Sequence, residues 1–481
     1  MKDLREWMQA LRGIGELIEV DAPVDPHLEI TEIADRVMKA GGPALLFRNV
    51  IGSDLPVLIN QFGSERRMAM GLGGADLDEI AGRIAQIAQM QPPQGLMDKV
   101  KALGTLKDLA SLGTRTVRSA PCQEVVMRGD DVDLDRIPIL TCWPGDGGPF
   151  VTLPLVFSHD PRTGARNCGM YRVQKVDRRT CMMHWQVHKD GRQHLLDSEG
   201  RVPVAVAIGT DPAVTYAATA PLPPALDEMM FAGFLRGERV EMVKAVTQDI
   251  EVPARAEVVL EGYVDATDIR DEGPFGDHTG FYTPVDQYPA FHVTGITMRR
   301  DAIYSTTIVG MPPMEDYWLG KATERLFLPL IRMTVPDLVD MNLPLEGVFH
   351  NCAIVSVRKR YPGHAKKLIN AVWGLGLLSL TRCVIVVDED IDVQDVSQVA
   401  FRAFSNVDPG RDVLVVDGPV DALDHAAPWP AYGSKIGFDA TAKWEGEGQV
   451  RPWPEEIRMS DEVRARVDAR WSEFGIPSPG R

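Results

Sequence analysis

At 481 residues, with 44% hydrophobic and 25% charged side chains, the chain has the composition of a globular protein and the length for two or three domains. A net charge of −17 argues against non-specific binding to nucleic acid or an anionic membrane surface. Cys122, Cys142, Cys168, Cys181, Cys352 and Cys383 form no Cys-x-x-Cys pair, which argues against a zinc cluster or disulfide framework and fits a reducing compartment.

The first residues, Met1 to Glu6, lack the apolar core of a secretory signal, and no apolar run reaches the length of a membrane span, so a cytoplasmic protein is expected. Asp3 with Glu6 three residues on is a helix-capping signal, and Leu4, Trp7, Met8 and Leu11 follow at helical spacing. A strand at 17–20, a helix at 29–38 and β-runs at 44–47 and 56–59 make a small α/β unit. Residues 75–115 read as helical and connecting. From about 120 to 310, short β-rich runs at 151–157, 202–208, 257–263 and 291–297 alternate with Gly, Pro and Asp turns, a spacing that suits a barrel-like β-domain. One helix, from Leu226 to Lys244, interrupts it. After Gly320, helices at 321–331, 364–373 and 396–404 alternate with strands at 352–357, 383–387 and 413–416, which predicts an open, largely parallel sheet. No Gly-x-Gly-x-x-Gly opens those helices, so no dinucleotide site is read there. An amphipathic tail helix from Glu462 to Phe474 is expected to dock on its own subunit or a neighbour.

Five clusters carry candidate chemistry. In Asp271–Tyr282, the acids Glu272 and Asp277 stand on a backbone bent by Gly273, Pro274 and Gly276 and followed by His278, so they sit on a loop or strand end rather than a helix. Either they are solvated turn acids or they are a pair whose pKa values are pushed apart for acid–base work. Arg172, at the end of 167–172, is a strand-end ion pair or a carboxylate clamp. Period-two alternation would put His184, Gln186 and His188 on one strand face, as polar strand positions or as ligands of a metal or phosphate. Glu228, in a Pro-rich helix start, either suits the helix dipole or joins Asn167 and His188 as a mixed N/O set for Mn²⁺ or Mg²⁺ with a phosphate. Gly310–Gly320 is a Pro-rich linker over packed aromatics or the lip of an interdomain cleft.

In this order, and with the further stretches 24–36, 132–144 and 433–441, the clusters resemble the UbiD family of decarboxylases over nearly the whole chain. The resemblance implies an α/β (α+β) protein with four parts. These are an N-terminal α/β and helical connecting region (1–118), a central split β-barrel flavin-binding domain (119–315), a C-terminal βαβ oligomerisation domain (316–450) and a helical tail (451–481). It implies prenylated FMN with Mn²⁺ (or Mg²⁺) and K⁺ or Na⁺ at its phosphate, and a flavin prenyltransferase as supplier of the cofactor. The metal ligands fall on Asn167, His188 and Glu228. The cofactor-contacting runs add Met170, Tyr171, Arg172, His184, Trp185 and Gln186. The catalytic network falls on Arg172, Glu272 and Asp277, with Glu272 supporting Arg172 and helping Asp277 keep the proton it gives to carbon. Asp277 stands as Asp, as in the polyprenylbenzoate branch.

A reversible, non-oxidative decarboxylase of an aromatic acid follows, with 4-hydroxy-3-polyprenylbenzoate of ubiquinone biosynthesis as the first substrate expected. The stretch 314–319 departs from that branch, and with His278, Tyr317, Trp318 and Leu319 on the substrate side a naphthoate of menaquinone biosynthesis or a heteroaromatic acid stays open. So does an FMN-dependent split-barrel oxidoreductase. The expected assembly is a homodimer or homohexamer, with peripheral membrane contact if the substrate is polyprenylated.

Overall fold

The computed structural model describes residues 1–89, 112–186, 190–198, 200–223 and 226–477. The fold is mixed α/β. The N-terminal helix Leu4–Gly13 starts at Asp3, whose side chain accepts from the amides of Arg5 and Glu6, and it buries Leu4, Trp7, Met8 and Leu11. Strands Leu17–Val20, Ala44–Phe47 and Val57–Ile59 form a small sheet whose fourth strand, Tyr304–Ser305, comes from far along the chain and pairs in parallel with Val57–Ile59. Arg5 reinforces that junction through a two-bond contact with the fully buried Glu257 at 2.8 Å on each bond.

A nine-stranded sheet makes the centre. Its long strands Val258–Glu272 and Asp286–Met298 pair with each other, and the flanking strands Arg201–Ile208, Leu155–His159 and Arg166–Gly169 follow on one side. On the other side lie Thr180–Met183, Val173–Lys175 and Phe150–Val151, while Val125–Arg128 also pairs with Asp286–Met298. Every pairing in it is antiparallel, and the path runs open from Phe150–Val151 to Arg166–Gly169. The single run expected at 151–157 is two strands, because residues 152–154, ending in a proline, leave the ladder.

The helix expected from Leu226 to Lys244 is half helix and half strand. Helix Glu228–Arg236 ends at Gly237 in the left-handed region (φ 70°), and Val240–Lys244 then pairs with Glu251–Pro253 and Thr114–Val117. The C-terminal sheet has the order Leu338–Asn342, Cys352–Val357, Cys383–Asp388, Tyr432–Asp439, Val413–Pro419. Its two inner pairings are parallel and its two edge pairings antiparallel, so it is mixed rather than largely parallel. Helix Glu315–Thr334 enters this part directly, so the linker expected up to Gly320 is helical from Glu315. The tail is a shorter helix, Asp461–Ala469, followed by a tight turn at Trp471–Phe474, and neither buries a residue against this chain.

Strand Val258–Glu272 shifts register between Glu261 and Gly262. A Cβ at Gly262 would stand 1.9 Å from the His292 carbonyl oxygen, so backbone and not a movable side chain blocks it. Gly262→Ala is expected to destabilise the chain by about 1–3 kcal/mol or more. A lowered midpoint in chemical unfolding checks this.

Candidate active site

Strand Val258–Glu272 ends on Glu272, and the chain turns through Gly273–Phe275 to Asp277. Arg172 stands just before strand Val173–Lys175. These elements bring one guanidinium between two carboxylates. Arg172 Nε and Nη2 donate to the two Glu272 oxygens at 2.7 and 2.9 Å, and Nη1 donates to Asp277 Oδ2 at 2.7 Å. Glu272 is fully buried, Asp277 is buried, and Arg172 is nearly so. The guanidinium carbon lies 4.6 Å from the Phe275 ring centroid, so aromatic faces and not water cover the cation.

The loop carrying Asp277 is held from beneath. Asp146 accepts from the Gly276 and Trp143 amides, each at 2.8 Å, and from Cys142 at 3.1 Å. A Cβ at Gly276 would meet Trp143 at 2.2 Å, so that close approach requires glycine. Gln174 accepts from the Gly273 amide at 2.8 Å.

Asp277 is saturated with donors. Oδ1 takes the His278 amide (2.8 Å) and His278 Nδ1 (2.7 Å), and Oδ2 takes Arg172 Nη1 and Thr283 Oγ1 (2.8 Å). Burial alone would raise its pKa, but the hydrogen bond and charge of His278, with the charge of Arg172, hold it well below the usual carboxylate range. Glu272 likewise resists burial and falls to about 2 through Arg172 and His184. The expectation that Glu272 helps Asp277 keep a proton meets four donors already placed on Asp277, which favour its carboxylate form. Burial lowers the His278 pKa, and the hydrogen bond and charge of Asp277 raise it overall.

His184 and Gln186 lie just past the strand Thr180–Met183, so these two do not share the expected strand face. Gln186 Nε2 lies 3.3 Å from His184 Nε2 and His184 Nδ1 lies 3.2 Å from Glu272, an order in which Gln186 donates to His184 and His184 donates to Glu272. Burial lowers the His184 pKa and keeps it neutral.

A second group lies along strand Arg166–Gly169. Asn167 is buried with its amide nitrogen unpartnered, and Trp185 is buried with its indole N–H unpartnered. Tyr171 stands edge-on to Trp185 with ring centroids 6.5 Å apart, and Met170 packs on the adjoining core. Glu228, at the start of helix Glu228–Arg236, accepts the Cys168 amide at 3.2 Å, and burial pushes its carboxyl up to about 7. Buried donors without acceptors beside a carboxyl that burial drives toward neutrality fit a cation–phosphate group, which would satisfy both. His188 lies outside the described residues. Among the described residues no three His, Cys, Asp or Glu side chains form a metal cluster.

Of the expected pocket residues, His278 is inside the network, bonded through both ring nitrogens. Tyr317 and Trp318 stack edge-on at 5.0 Å on helix Glu315–Thr334, and Leu319 is buried in the core beneath it. Asp316, just before them, acts on His278 and Asp277 through its charge; burial raises it to about 7. Sequence reading missed Asp146, Thr283, Asp316 and His350, whose Nε2 lies 2.7 Å from His278 Nε2. Thr283 carried a signal in its place in the same turn as Asp277, and Asp316 lay within the 310–320 cluster without being singled out.

Residues 8–87, 115–312 and 317–440 match the N-terminal, Rift-related and C-terminal domains of 3-octaprenyl-4-hydroxybenzoate carboxy-lyase. An uncharacterized protein of Archaeoglobus fulgidus is 51% identical over 478 residues, 98% of each chain. The closed form of Sedimentibacter hydroxybenzoicus vanillic acid decarboxylase superposes with a TM-score of 0.84 at 27% identity, over 98% of this chain and 99% of that one. An evolved dimeric form of the UbiD-class enzyme HmfF from Pelotomaculum thermopropionicum, in complex with prFMN, gives 0.78 at 28% identity, over 96% of this chain and 98% of that one. The chain belongs to the UbiD family and is a carboxy-lyase of the UbiD decarboxylase type.

Proposed function

We propose that this chain is a prenylated-FMN-dependent decarboxylase of an aromatic carboxylic acid, and that Arg172, Glu272 and Asp277 are its catalytic residues. The observation that carries the reading is the buried Arg172 shared between two carboxylates, the second of them bonded to His278. Loss of CO₂ from an aromatic ring leaves an electron pair that no side chain here can absorb, and prenylated FMN, when bound, supplies that sink. Asn167, Met170, Tyr171, Arg172, His184, Trp185, Gln186 and Glu228, with His188, would hold it, and Asn167, His188 and Glu228 would hold Mn²⁺ (or Mg²⁺) at its phosphate, with K⁺ or Na⁺ alongside.

This chain's residues do the rest. Arg172 has its Nη1 turned to Asp277 and can turn the same donor to the substrate carboxylate, while Glu272 keeps the rest of the guanidinium fixed. The apolar faces of Phe150 and Phe275 exclude water from that contact. Once CO₂ leaves, Asp277 passes a proton to the ring carbon, having received it from His278 Nδ1. The overall count balances: one carboxylate and one proton give CO₂ and one C–H bond.

4-Hydroxy-3-polyprenylbenzoate is the substrate that the matched family domains name first. A compact bicyclic acid such as a naphthoate is the second reading. It is favoured by the C-terminal part pressing on the loop of Asp277: His425 packs on Phe281 with ring centroids 4.0 Å apart, and Phe349 stacks on His278 at 5.4 Å. An ordinary FMN oxidoreductase has no use for a carboxylate clamp with a proton donor.

Self-association belongs to the same proposal. Phe401 and Phe404 on helix Val396–Asn406, and Ile457, Met459 and Phe474 in the tail, are apolar and exposed, Phe404 at 89%. A tail with no fully buried residue among the described ones suits a second copy. Among the described residues no helix is long and apolar enough to cross a membrane.

Two outcomes are expected. Holoenzyme given a panel of aromatic acids, with a polyprenylated hydroxybenzoate and a naphthoate among them, releases CO₂ from at least one. Asp277→Asn then lowers that rate by about 10²–10⁴-fold while flavin absorbance shows the cofactor still bound; near-normal turnover would remove Asp277 from its role. Separately, Phe404→Glu is expected to shift the sedimentation profile from an oligomer to a smaller species.

A further inference from the structure

His350 belongs to no motif of the network, yet it completes it. It lies 72 residues from His278, in the turn before strand Cys352–Val357. Two residues leading into it, Val348 (φ 52°) and Phe349 (φ 47°), are in the left-handed region. A β-branched residue there is a true outlier, held only where its surroundings over-determine it. The effect of that bend is to bring Phe349 flat against His278 and the His350 ring edge-on to it, with centroids 4.9 Å apart.

The two rings meet through their Nε2 atoms at 2.7 Å, so one nitrogen carries the hydrogen and the other accepts it. The far nitrogen of His278, Nδ1, is already directed at Asp277. A His278 ring that donates from both nitrogens is an imidazolium, and His350 is then the neutral acceptor. The surrounding charges agree. His278 faces Asp277, Asp316 and Asp421, and its pKa is raised; His350 faces His278, Asp421, Asp277 and Asp424, and burial with the charge on His278 lowers it to about 4. Asp424, which faces His350, is itself tied to Arg382 at 2.8 Å, while Asp277, Asp316 and Asp421 are the acids that face His278.

We propose that His350 is a positioning residue for decarboxylation: by accepting a hydrogen bond from His278 it holds that ring charged and aimed, so that the proton needed on the ring carbon is always at hand beside Asp277. The inference rests on Asp277 as the group that protonates carbon. The proton leaves His278 Nδ1 for Asp277 Oδ1, Asp277 gives it to carbon, and solvent restores the charge on His278. Because His278 and His350 come from different parts of the chain, the proton is in place only while the C-terminal part rests on the loop of Asp277.

The sign is fixed by the raised pKa of His278: the imidazolium is present at low pH and is lost as pH rises through that raised value, so turnover falls on the basic side. His350→Phe removes the acceptor but keeps a ring against Phe349, and His350→Gln restores an acceptor that cannot itself titrate. In ¹⁵N-histidine-labelled protein without cofactor, the His278 titration midpoint is expected to fall by about one pH unit in His350→Phe and to recover in His350→Gln. In holoenzyme, the basic limb of kcat is expected to move down with it, costing about tenfold in kcat above the new midpoint with KM nearly unchanged. An unmoved midpoint in His350→Phe overturns the proposal, and so does an equal loss of kcat and KM in both variants. The titration reads the pair without turnover. Failure of the decarboxylase reading shows instead as wild-type holoenzyme that releases no CO₂ from any acid tested.

Discussion

Arg172 is the point on which the site depends. A buried guanidinium is tolerable only with its donors satisfied, and three of them are satisfied by Glu272 and Asp277. Two carboxylates about one cation would leave a negative charge in a low-dielectric place. His278 on the far side of Asp277, its pKa raised by that carboxylate against the effect of burial, offsets that excess where it is protonated. Removing any one member would leave an unpaired buried charge, so the four are better regarded as one unit than as separate catalytic parts.

The fold serves that unit by supplying each member from a different element. Arg172 precedes a strand of the central sheet, Glu272 ends its longest strand, and Asp277 follows a two-residue pairing, Phe275–Gly276 with Tyr282–Thr283. Asp146 collects three amides that would otherwise point into the protein unpaired, and in doing so fixes the height of the loop against Trp143. The network is rigid on the side of the central sheet. On the other side it is closed by the C-terminal part, through Phe349, His350 and His425.

Much of the fold is legible in the sequence where one local signal decides. The cap at Asp3 and the strand Cys352–Val357 come out as expected because capping oxygen and apolar pattern act within a few residues. The reading fails where tertiary context decides. Leu226–Lys244 has helix-forming residues on both sides of Gly237, and pairing with Thr114–Val117 and Glu251–Pro253 turns its second half extended. Strand Tyr304–Ser305 is too short to read and exists because a sheet edge awaits it 247 residues upstream, at Val57. In the site, Arg172 and Glu272 stand 100 residues apart, and no spacing rule joins them; the family resemblance did. It did not supply His350, which matters through contact with His278 rather than through any motif of its own, and it did not single out Asp316 within the 314–319 stretch.

The short side chain of Asp277 explains why the proposed mechanism draws on a histidine. An aspartate is short enough for its Oδ1 to take the amide of the very next residue, at 2.8 Å, which ties the carboxylate to its own backbone. A glutamate at this place would carry its carboxylate one methylene further out and lose that tie, gaining reach toward a substrate. Asp277 gives up reach for anchorage. An anchored carboxylate with four donors is a poor place to keep a proton, so the proton is kept one bond away, on the ring that supplies one of those four donors. In the proposed mechanism charge and geometry point the same way: Arg172 Nη1 turns from Asp277 to an arriving substrate carboxylate, Asp277 loses that donor, and its carboxylate becomes basic enough to take the His278 proton.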